Sequence, residues 1–267
     1  MEIEIIYEDA ELIVINKPWG ITVNRSDSSR ENTVQDWAEK KLNIKNKISK
    51  NKNDEKQISN YDTEEEFVSR GGVVHRLDKE TSGILLIAKN PKSFLNLKNQ
   101  FKERKVEKTY VALVHGEVKS ETGEINAPVG RLPQNRMRFG VIADGREAST
   151  GYEVINHYLF DKEKLTYLRL KPKTGRTHQI RVHLKYLIHP IFSDPLYAGR
   201  KVGRNDRKVL GRLFLHAEKI TFLHPTTGEI QTFESKLPEE LQKFMDILVK
   251  ALFIGITLIR FDISQGR

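Results

Sequence analysis

Several features that define common protein classes are absent from this sequence. The 267 residues include no cysteine, which excludes disulfides, thiolate zinc sites, iron–sulfur clusters and cysteine nucleophiles. The longest nearly apolar run, residues 251–259, is far shorter than the roughly 20 residues that cross a bilayer. The first residues are acidic where a secretion signal needs basic side chains. We therefore expect a cytoplasmic protein that does not insert into membranes.

The positive charge of the chain is concentrated in two stretches. The formal net charge is +9, but residues 169–212 alone carry 12 Lys or Arg against Asp194 and Asp206, a net charge of +10. Residues 89–108 add a net charge of +5, so the remainder is negative. Localised positive charge favours polyanions, because each neutralised phosphate releases counterions. A solvated basic face is the alternative that charge alone leaves open.

Apolar, β-branched segments alternate with amphipathic helical patterns along the chain. The strand pattern occurs at residues 4–7, 12–16, 84–88, 110–115, 151–156, 166–170, 219–223 and 230–233. Helices are expected after Asn32 or Thr33, after Asn90, around Ile180 and after Pro238. Because strands follow one another without a helix from 110 to 170, we predict an α+β fold with a mixed, largely antiparallel central sheet flanked by helices.

Two segments fall outside this pattern. Residues 46–69 have few apolar and many charged side chains, so we predict a mobile insertion there. Residues 251–267 follow the last predicted helix as a C-terminal extension whose role the pattern does not indicate. We expect residues 1–250 to form a single domain.

Asp78 is the first candidate for chemistry. Residues 71–89 read GGVVHRLDKETSGILLIAK, which places this carboxylate between basic neighbours and before a Thr-Ser-Gly turn. Adjacent cations lower the pKa of a carboxyl group and keep a nucleophile ionised. An ordinary turn aspartate fits the same pattern, so the motif alone leaves both interpretations open.

A second block, residues 171–197, reads KPKTGRTHQIRVHLKYLIHPIFSDPLY. A basic turn containing Lys173 and Arg176 leads into a helix that begins near His178, and donors at such a turn suit phosphate. Arg181 follows the apolar Ile180 in that helix, and a partly buried arginine needs an anion such as the Asp78 carboxylate. Histidines 178, 183 and 189 do not align on one helical face, which argues against a metal site.

The ordered motifs of the chain resemble the signatures of the RluA-type RNA pseudouridine synthases. The central one is His75-Arg76-Leu77-Asp78, which continues through Thr81-Ser82-Gly83. The others are Asn16-Lys17-Pro18 with Gly20, Lys108-Thr109-Tyr110, the GRTHQIRVH of residues 175–183, and Leu215-His216-Ala217. Each motif is a weak signal by itself, but five in the right order are specific.

The resemblance implies both a reaction and a set of catalytic residues. A pseudouridine synthase catalytic domain would isomerise uridine in structured rRNA or tRNA, with no metal, nucleotide or redox cofactor, and we expect it to act as a monomer. Asp78 would attack the sugar or the base, Tyr110 would stack on the target uracil, and Arg181 would pair with the aspartate. A strand aromatic such as Tyr110 is otherwise most often a core residue.

RNA binding is assigned to a further group of residues. The resemblance implies that Arg76 enters the RNA stack when the uridine is flipped out, a role that suits a planar cation. We assign Lys173, Arg176 and His178 to contacts with the RNA.

The main alternative is a non-catalytic RNA-binding protein on the same scaffold. It predicts the loss of Asp78, Tyr110 or Arg181, yet all three are present. Phosphoryl transfer is disfavoured because the chain lacks a Gly-rich phosphate loop, a Walker sequence and an Asp-Phe-Gly. A carboxylate-pair glycosidase is disfavoured because no second acid stands out. Nothing in the motifs identifies the RNA or the uridine.

Overall fold

A computed structural model describes residues 1–25, 32–44 and 61–248 of the protein. The chain divides into two compact units. The first comprises Met1–Lys108 and Ala217–Ser235, and the second comprises Thr109–His216 and the chain from Lys236 onward. The fold is α+β, with a mixed, mostly antiparallel central sheet and flanking helices, as the sequence predicts. A single domain over residues 1–250 stays a prediction.

The helices and strands agree with the predicted segments and add several that were not predicted. The strands are β1 (Glu4–Glu8), β2 (Leu12–Lys17), β3 (Ser82–Ala88), β4 (Glu107–His115), β5 (Thr122–Asn126), β6 (Val129–Leu132), β7 (Asn135–Val141), β8 (Ser149–Phe160), β9 (Glu163–Pro172), β10 (Leu215–Leu223) and β11 (Ile230–Glu234). The helices are α1 (Val34–Leu42), α2 (Tyr61–Ser69), α3 (Pro91–Lys102), α4 (Gln179–Tyr186), α5 (Arg200–Val209) and α6 (residues 239–248). Within the described residues, no helix is long and apolar enough to span a membrane.

The first unit is built on two buried strands. β2 pairs antiparallel with β1 on one side and with β3 on the other, β3 lies beside β10, and β10 pairs antiparallel with β11. Residues 12–15 and 84–88 are almost completely buried, because each strand is apolar on both faces and packs on both. β3 therefore provides a rigid end-point for the loop that precedes it.

Local capping signals determine where α1 and α3 begin. The Thr33 hydroxyl accepts a hydrogen bond from the Asp36 backbone N–H at 3.1 Å, and the Asp36 carboxylate accepts one from the Thr33 N–H at 2.8 Å. Asn90 accepts from the Ser93 N–H at 2.9 Å, with Pro91 in the first turn. Both ends satisfy backbone N–H groups that have no partner within the helix, so both predicted starts are confirmed.

Part of the predicted insertion is helical. Its last nine residues form α2, and Phe67 of this helix is 4% exposed and packs edge-on against Phe94 of α3, with ring centroids 5.9 Å apart. This packing keeps the end of the segment against the first unit. Residues 46–60, like the predicted extension 251–267, lie outside the described residues.

The second unit packs helices against the strands β4, β9, β8 and β5, which are adjacent in that order and antiparallel. β6 and β7 form a separate two-stranded hairpin. α6 follows Pro238 as predicted and inserts Phe244 between Phe192 and Phe214, with centroids 4.9 and 6.4 Å away. Leu241, Phe244 and Leu248 are at most 3% exposed, so this helix completes the core.

Candidate active site

Asp78 lies in a turn that leads into β3. The Thr81 N–H donates to the Asp78 carbonyl at 3.1 Å and closes the turn. Along the preceding residues Arg76 is exposed, Leu77 is 4% exposed and Asp78 is half-buried. The buried Leu77 thus anchors the loop, while Arg76 and Asp78 on either side of it remain accessible.

A buried lysine fixes the far side of this turn. Lys17 is fully buried, and its ammonium donates to the carbonyl oxygens of Pro18 at 2.7 Å and Lys79 at 3.3 Å. The Gly20 N–H donates to the same Lys79 carbonyl at 2.8 Å. A buried charge is tolerated only when hydrogen bonds replace its hydration, so the Asn-Lys-Pro motif is a structural support for the turn of Asp78.

His75 supports the other side of the turn as a neutral ring. Its Nε2 accepts a hydrogen bond from the Leu86 N–H at 3.0 Å, and the ring stacks on Phe101 with centroids 4.5 Å apart. Burial, and secondly the charge of Lys108, lowers the pKa of His75 to about 3. Burial also lowers the pKa of Lys108, whose ammonium lies 6.0 Å from the Phe101 ring centre. His75 therefore joins the loop to β3 and is uncharged at neutral pH.

The Thr-Ser-Gly turn requires its glycine because β10 approaches closely. Gly83 has φ +114°, and a Cβ at this position would lie 2.2 Å from the Ala217 carbonyl oxygen. Ala217 belongs to the Leu-His-Ala motif, so two motifs far apart in sequence meet in one backbone contact. The contact fixes the start of β3 directly after the turn of Asp78.

Tyr110 occupies a half-buried position in β4. It is opposite Leu170 of β9 and packs at the edge of the second unit's core, next to the fully buried Val111 and Ala112. A half-buried aromatic ring suits both a core residue and a stacking surface for a base. Its catalytic role stays a prediction.

Arg181 lies in α4, as predicted, but is almost completely buried where partial burial was expected, and its carboxylate partner in the second unit is Asp194. The guanidinium Nε and Nη2 each donate to one Asp194 oxygen at 2.8 Å. The Cζ of Arg181 lies 5.0 Å from the centre of the Tyr197 ring. Asp194 also accepts from the N–H groups of Leu196 and Tyr197 at 2.8 and 3.0 Å. The predicted pairing of Arg181 with Asp78 stays a prediction.

Sequence reasoning did not single out Asp194, although a signal was available. Only Asp194 and Asp206 oppose the 12 cations of residues 169–212, and both are buried. Asp194 binds Arg181, while Asp206 binds His115 Nε2 at 2.9 Å. Because a buried carboxylate needs a partner, the two acids of a basic stretch were candidates for structural ion pairs.

The three residues assigned to RNA in the second block have different surroundings. His178 has φ 56° just before α4, and its Nδ1 lies 2.9 Å from the Tyr197 hydroxyl, which connects it to the Arg181 cluster. Arg176 donates through Nε to the Glu147 carbonyl at 3.0 Å. Lys173 forms an exposed ion pair with Glu124 at 2.8 Å. His178 is thus close to Arg181, whereas Lys173 lies at an acid on the edge strand β5.

The turn that carries these residues is held by Gln179, which the sequence did not single out. Its carbonyl oxygen accepts from the Arg176 N–H at 3.0 Å and from the Thr174 hydroxyl at 2.7 Å. Its amide donates to the Ser149 carbonyl at 3.0 Å and the Thr150 hydroxyl at 2.9 Å. All four amide interactions are inside the protein, so the basic turn has a defined shape.

Comparisons with known proteins identify the family of the chain. Residues 11–186 match the family described as RNA pseudouridylate synthase. An uncharacterized RNA pseudouridine synthase of Aquifex aeolicus is 40% identical over 241 residues, which cover 89% of this chain and 70% of the relative. The ribosomal large subunit pseudouridine synthase D of Nitrosomonas europaea is 33% identical over 249 residues, 92% of this chain and 65% of the relative.

A solved structure extends the similarity to three dimensions. Human RNA Pseudouridylate Synthase Domain Containing 1 superimposes with a TM-score of 0.66 at 27% identity, over 89% of this chain and 84% of that chain. The fold, the ordered motifs and these matches define an isomerase that acts on RNA. The chain belongs to the RNA pseudouridylate synthase family, of the RluA type, and is an RNA pseudouridine synthase.

Proposed function

We propose that the protein isomerises specific uridines of structured RNA to pseudouridine, with Asp78 as the nucleophile and with the target base flipped out of its stack. The observation that carries this proposal is the turn of Asp78. The half-buried carboxylate stands on backbone that Lys17 fixes through the Lys79 carbonyl. Catalysis by a positioned group requires such rigidity, because small displacements of the reacting atoms cost large factors in rate.

The proposed reaction rearranges bonds and needs no co-reactant. An Asp78 oxygen attacks C1′ of the ribose or C6 of the uracil, and the bond between N1 and C1′ breaks. The uracil turns, its C5 bonds to C1′, the bond to the Asp78 oxygen breaks, C5 loses its proton and N1 gains one. The product therefore has the composition of the substrate, and the Asp78 carboxylate is regenerated. Tyr110 is proposed to stack on the uracil and assist removal of the C5 proton.

Arg181 is proposed to keep Asp78 ionised as its cationic partner. A nearby guanidinium favours the charged form of a carboxyl group. The two hydrogen bonds to Asp194 support this role, because they fix the orientation of the guanidinium in a buried site. Asp194 is thereby proposed as a positioning residue for Arg181.

RNA contacts are proposed on the accessible cations. Unstacking a base costs a few kcal/mol, and a planar cation can fill the gap that the base leaves. Arg76 suits this role because it is exposed two residues before Asp78. Arg176 and His178, and Lys173 once its exposed pair with Glu124 opens, are proposed to contact phosphates.

The proposed substrate is rRNA, with tRNA as the alternative. Relatives from Nitrosomonas europaea and Neisseria meningitidis are named ribosomal large subunit pseudouridine synthase D, and they are 33% and 34% identical to this chain. We propose that the protein modifies large-subunit rRNA in the cytoplasm and acts as a monomer.

Pseudouridine mapping tests this proposal. Total RNA from cells with and without the gene is compared, and the purified protein is assayed for tritium release from RNA that carries labelled C5. We expect a large-subunit rRNA uridine that is modified only when the gene is present, together with tritium release from that RNA in vitro. Loss of a tRNA pseudouridine instead would overturn the rRNA assignment, and RNA binding without tritium release would favour the non-catalytic alternative.

A further inference from the structure

Helix α5 presents a continuous basic face. Its cationic side chains lie within about 120° of the helix circumference at 3.6 residues per turn. We call this set the α5 basic face: Arg200, Lys201, Arg204, Arg207 and Lys208. All are exposed except Arg207, which is half-buried and donates to the Gly211 carbonyl at 3.0 Å. The sequence places these cations in the basic stretch 169–212, but it did not predict the helix that aligns them, because the helix has no apolar stripe.

Four of the five cations of this face are not paired with acids of the described part of the chain. Among the residues that the structure describes, no carboxylate lies within ion-pairing distance of Arg200, Lys201, Arg204 or Lys208. The one acid of the helix, Asp206, is 6% exposed and points inward to His115. The helix therefore separates its charges, with cations outside and the anion inside.

The sequence of α5 does not favour a helix at this position. Gly199 provides no side-chain cap, the first turn contains no acid, and Arg200 and Lys201 face the positive end of the helix dipole. Tertiary anchors hold the helix instead. Asp206 accepts from His115 and from the Ser193 N–H at 3.0 Å, and a Cβ on Gly203 would lie 2.9 Å from the Asp194 carbonyl oxygen. In the first turn of α5, the fold thus maintains cations that the helix dipole opposes.

We propose that the α5 basic face binds the phosphate backbone of structured RNA, at nucleotides other than the uridine that is modified. This inference rests on the proposed function and adds a contact surface to it. The face extends about 12 Å along the helix at 1.5 Å per residue, enough for several successive phosphates. We expect this contact to be independent of the RNA sequence. The long cationic side chains reach the phosphates, whereas the narrow major groove of A-form RNA keeps those side chains away from the base edges.

Two triple variants with the same change of charge test the proposal. The first, R200Q/R204Q/K208Q, removes three charges from the α5 basic face. The control, K40Q/K119Q/K162Q, removes three charges from exposed lysines outside the two basic stretches that have no ion pair among the described contacts. Binding of each protein to a structured rRNA fragment is measured by filter binding across a salt series, and turnover is measured separately by tritium release.

We expect the α5 variant to lose about two units of the slope of log K against log salt, because each phosphate contact contributes roughly 0.7–0.9. Its RNA affinity at low salt should fall about tenfold or more, with kcat at saturating RNA unchanged. The control should retain most of the slope. The unfolding midpoint of the α5 variant should change little, because removing Arg200 relieves repulsion at the positive end of the helix dipole, whereas removing Lys208 loses a favourable charge in the last turn.

Several results would overturn the proposal. One is equal loss of affinity and slope in both triple variants, which would attribute binding to net charge alone. Binding of the α5 variant to vesicles of anionic lipid is measured as well. Loss of vesicle binding with RNA binding intact would show that the α5 basic face binds lipid and not RNA. If the variant is not folded, R204Q alone must reduce the slope and Arg204→Lys must restore it. Because binding is measured apart from turnover, the two proposals can fail separately. A wild-type protein that releases no tritium would refute the proposed function. A wild type and an α5 variant that both release tritium and bind RNA with the same affinity and slope would refute only this inference.

Discussion

Arg181 and Asp194 form a two-point ion pair in which both side chains are buried, with N–O distances of 2.8 Å. The pair joins α4 to the loop that contains Tyr197, and two backbone N–H groups of that loop also donate to the carboxylate. A buried pair with these additional hydrogen bonds has the geometry in which the attraction offsets the loss of hydration. The position of Arg181 is therefore determined by the loop as well as by its own helix.

Asp194→Asn should destabilise the protein and slow it. Removing one charge of a buried pair leaves the other uncompensated, which costs about 3–5 kcal/mol. If the guanidinium orients the nucleophile, kcat should fall more than RNA affinity. Urea unfolding gives the free energy of unfolding, and tritium release below the unfolding transition gives kcat.

The matched control is the exposed ion pair of Glu117 with Lys164, which lies at the start of β9. Glu117→Gln should leave both stability and kcat close to wild type, because exposed pairs contribute little. Equal losses in the two variants would show that burial does not distinguish these pairs. An Asp194→Asn protein with wild-type kcat would refute the positioning role.

Local signals predicted the elements whose cause is local. The caps at Thr33 and Asn90 and the apolar face of α6 each depend on residues within a few positions, so the chain sequence was sufficient. α5 was missed because its buried residues are Gly203 and Asp206, which produce no apolar period. Its position depends on His115, far away in sequence.

In the site too, residues in short motifs could be predicted from the sequence, whereas contacts that depend on tertiary structure could not. Asp78, with its supporting Lys17 and Gly83, lies in motifs that are recognisable as short strings. Asp194 was missed as the partner of Arg181, because pairing across 13 residues depends on how a loop folds back on a helix. α2, inside the predicted insertion, was missed for a related reason: one buried side chain, Phe67, anchors an otherwise polar segment.

Asp78→Asn should abolish turnover and leave the fold intact. The amide retains the size of the carboxylate but is not a nucleophile, so tritium release should be undetectable while the unfolding midpoint and RNA affinity stay near wild type. Asp144→Asn makes the same chemical change at an exposed residue and should retain full activity. Substantial tritium release by Asp78→Asn would exclude an aspartate mechanism.

Gly83→Ala should be strongly destabilising. The new methyl group would meet the Ala217 carbonyl oxygen at 2.2 Å, at a residue whose φ of +114° L side chains rarely adopt. Backbone strain and overpacking together should cost about 3 kcal/mol or more. Gly211→Ala has no atom within 4 Å of its Cβ, so its unfolding free energy should change little. Similar unfolding midpoints for the two variants would contradict the close approach of β3 and β10.

His115 should make stability depend on pH in a defined direction. Burial lowers the pKa of His115, but hydrogen bonds and charge from Asp206 and Glu163 outweigh burial and raise this pKa above its ordinary value of 6.5. The imidazolium binds Asp206 at 2.9 Å and Glu163 at 3.0 Å, so its contribution is complete below pH 6.5 and is lost as the pH rises through the folded-state pKa. The free energy of unfolding of the wild type should therefore exceed that of His115→Gln most at low pH, and the difference should shrink as the pH rises.

Asp206→Asn removes the principal anionic partner and should weaken this trend. Urea unfolding of the three proteins across the neutral pH range measures it, and a difference between wild type and His115→Gln that grows with pH would show that His115 is neutral when folded.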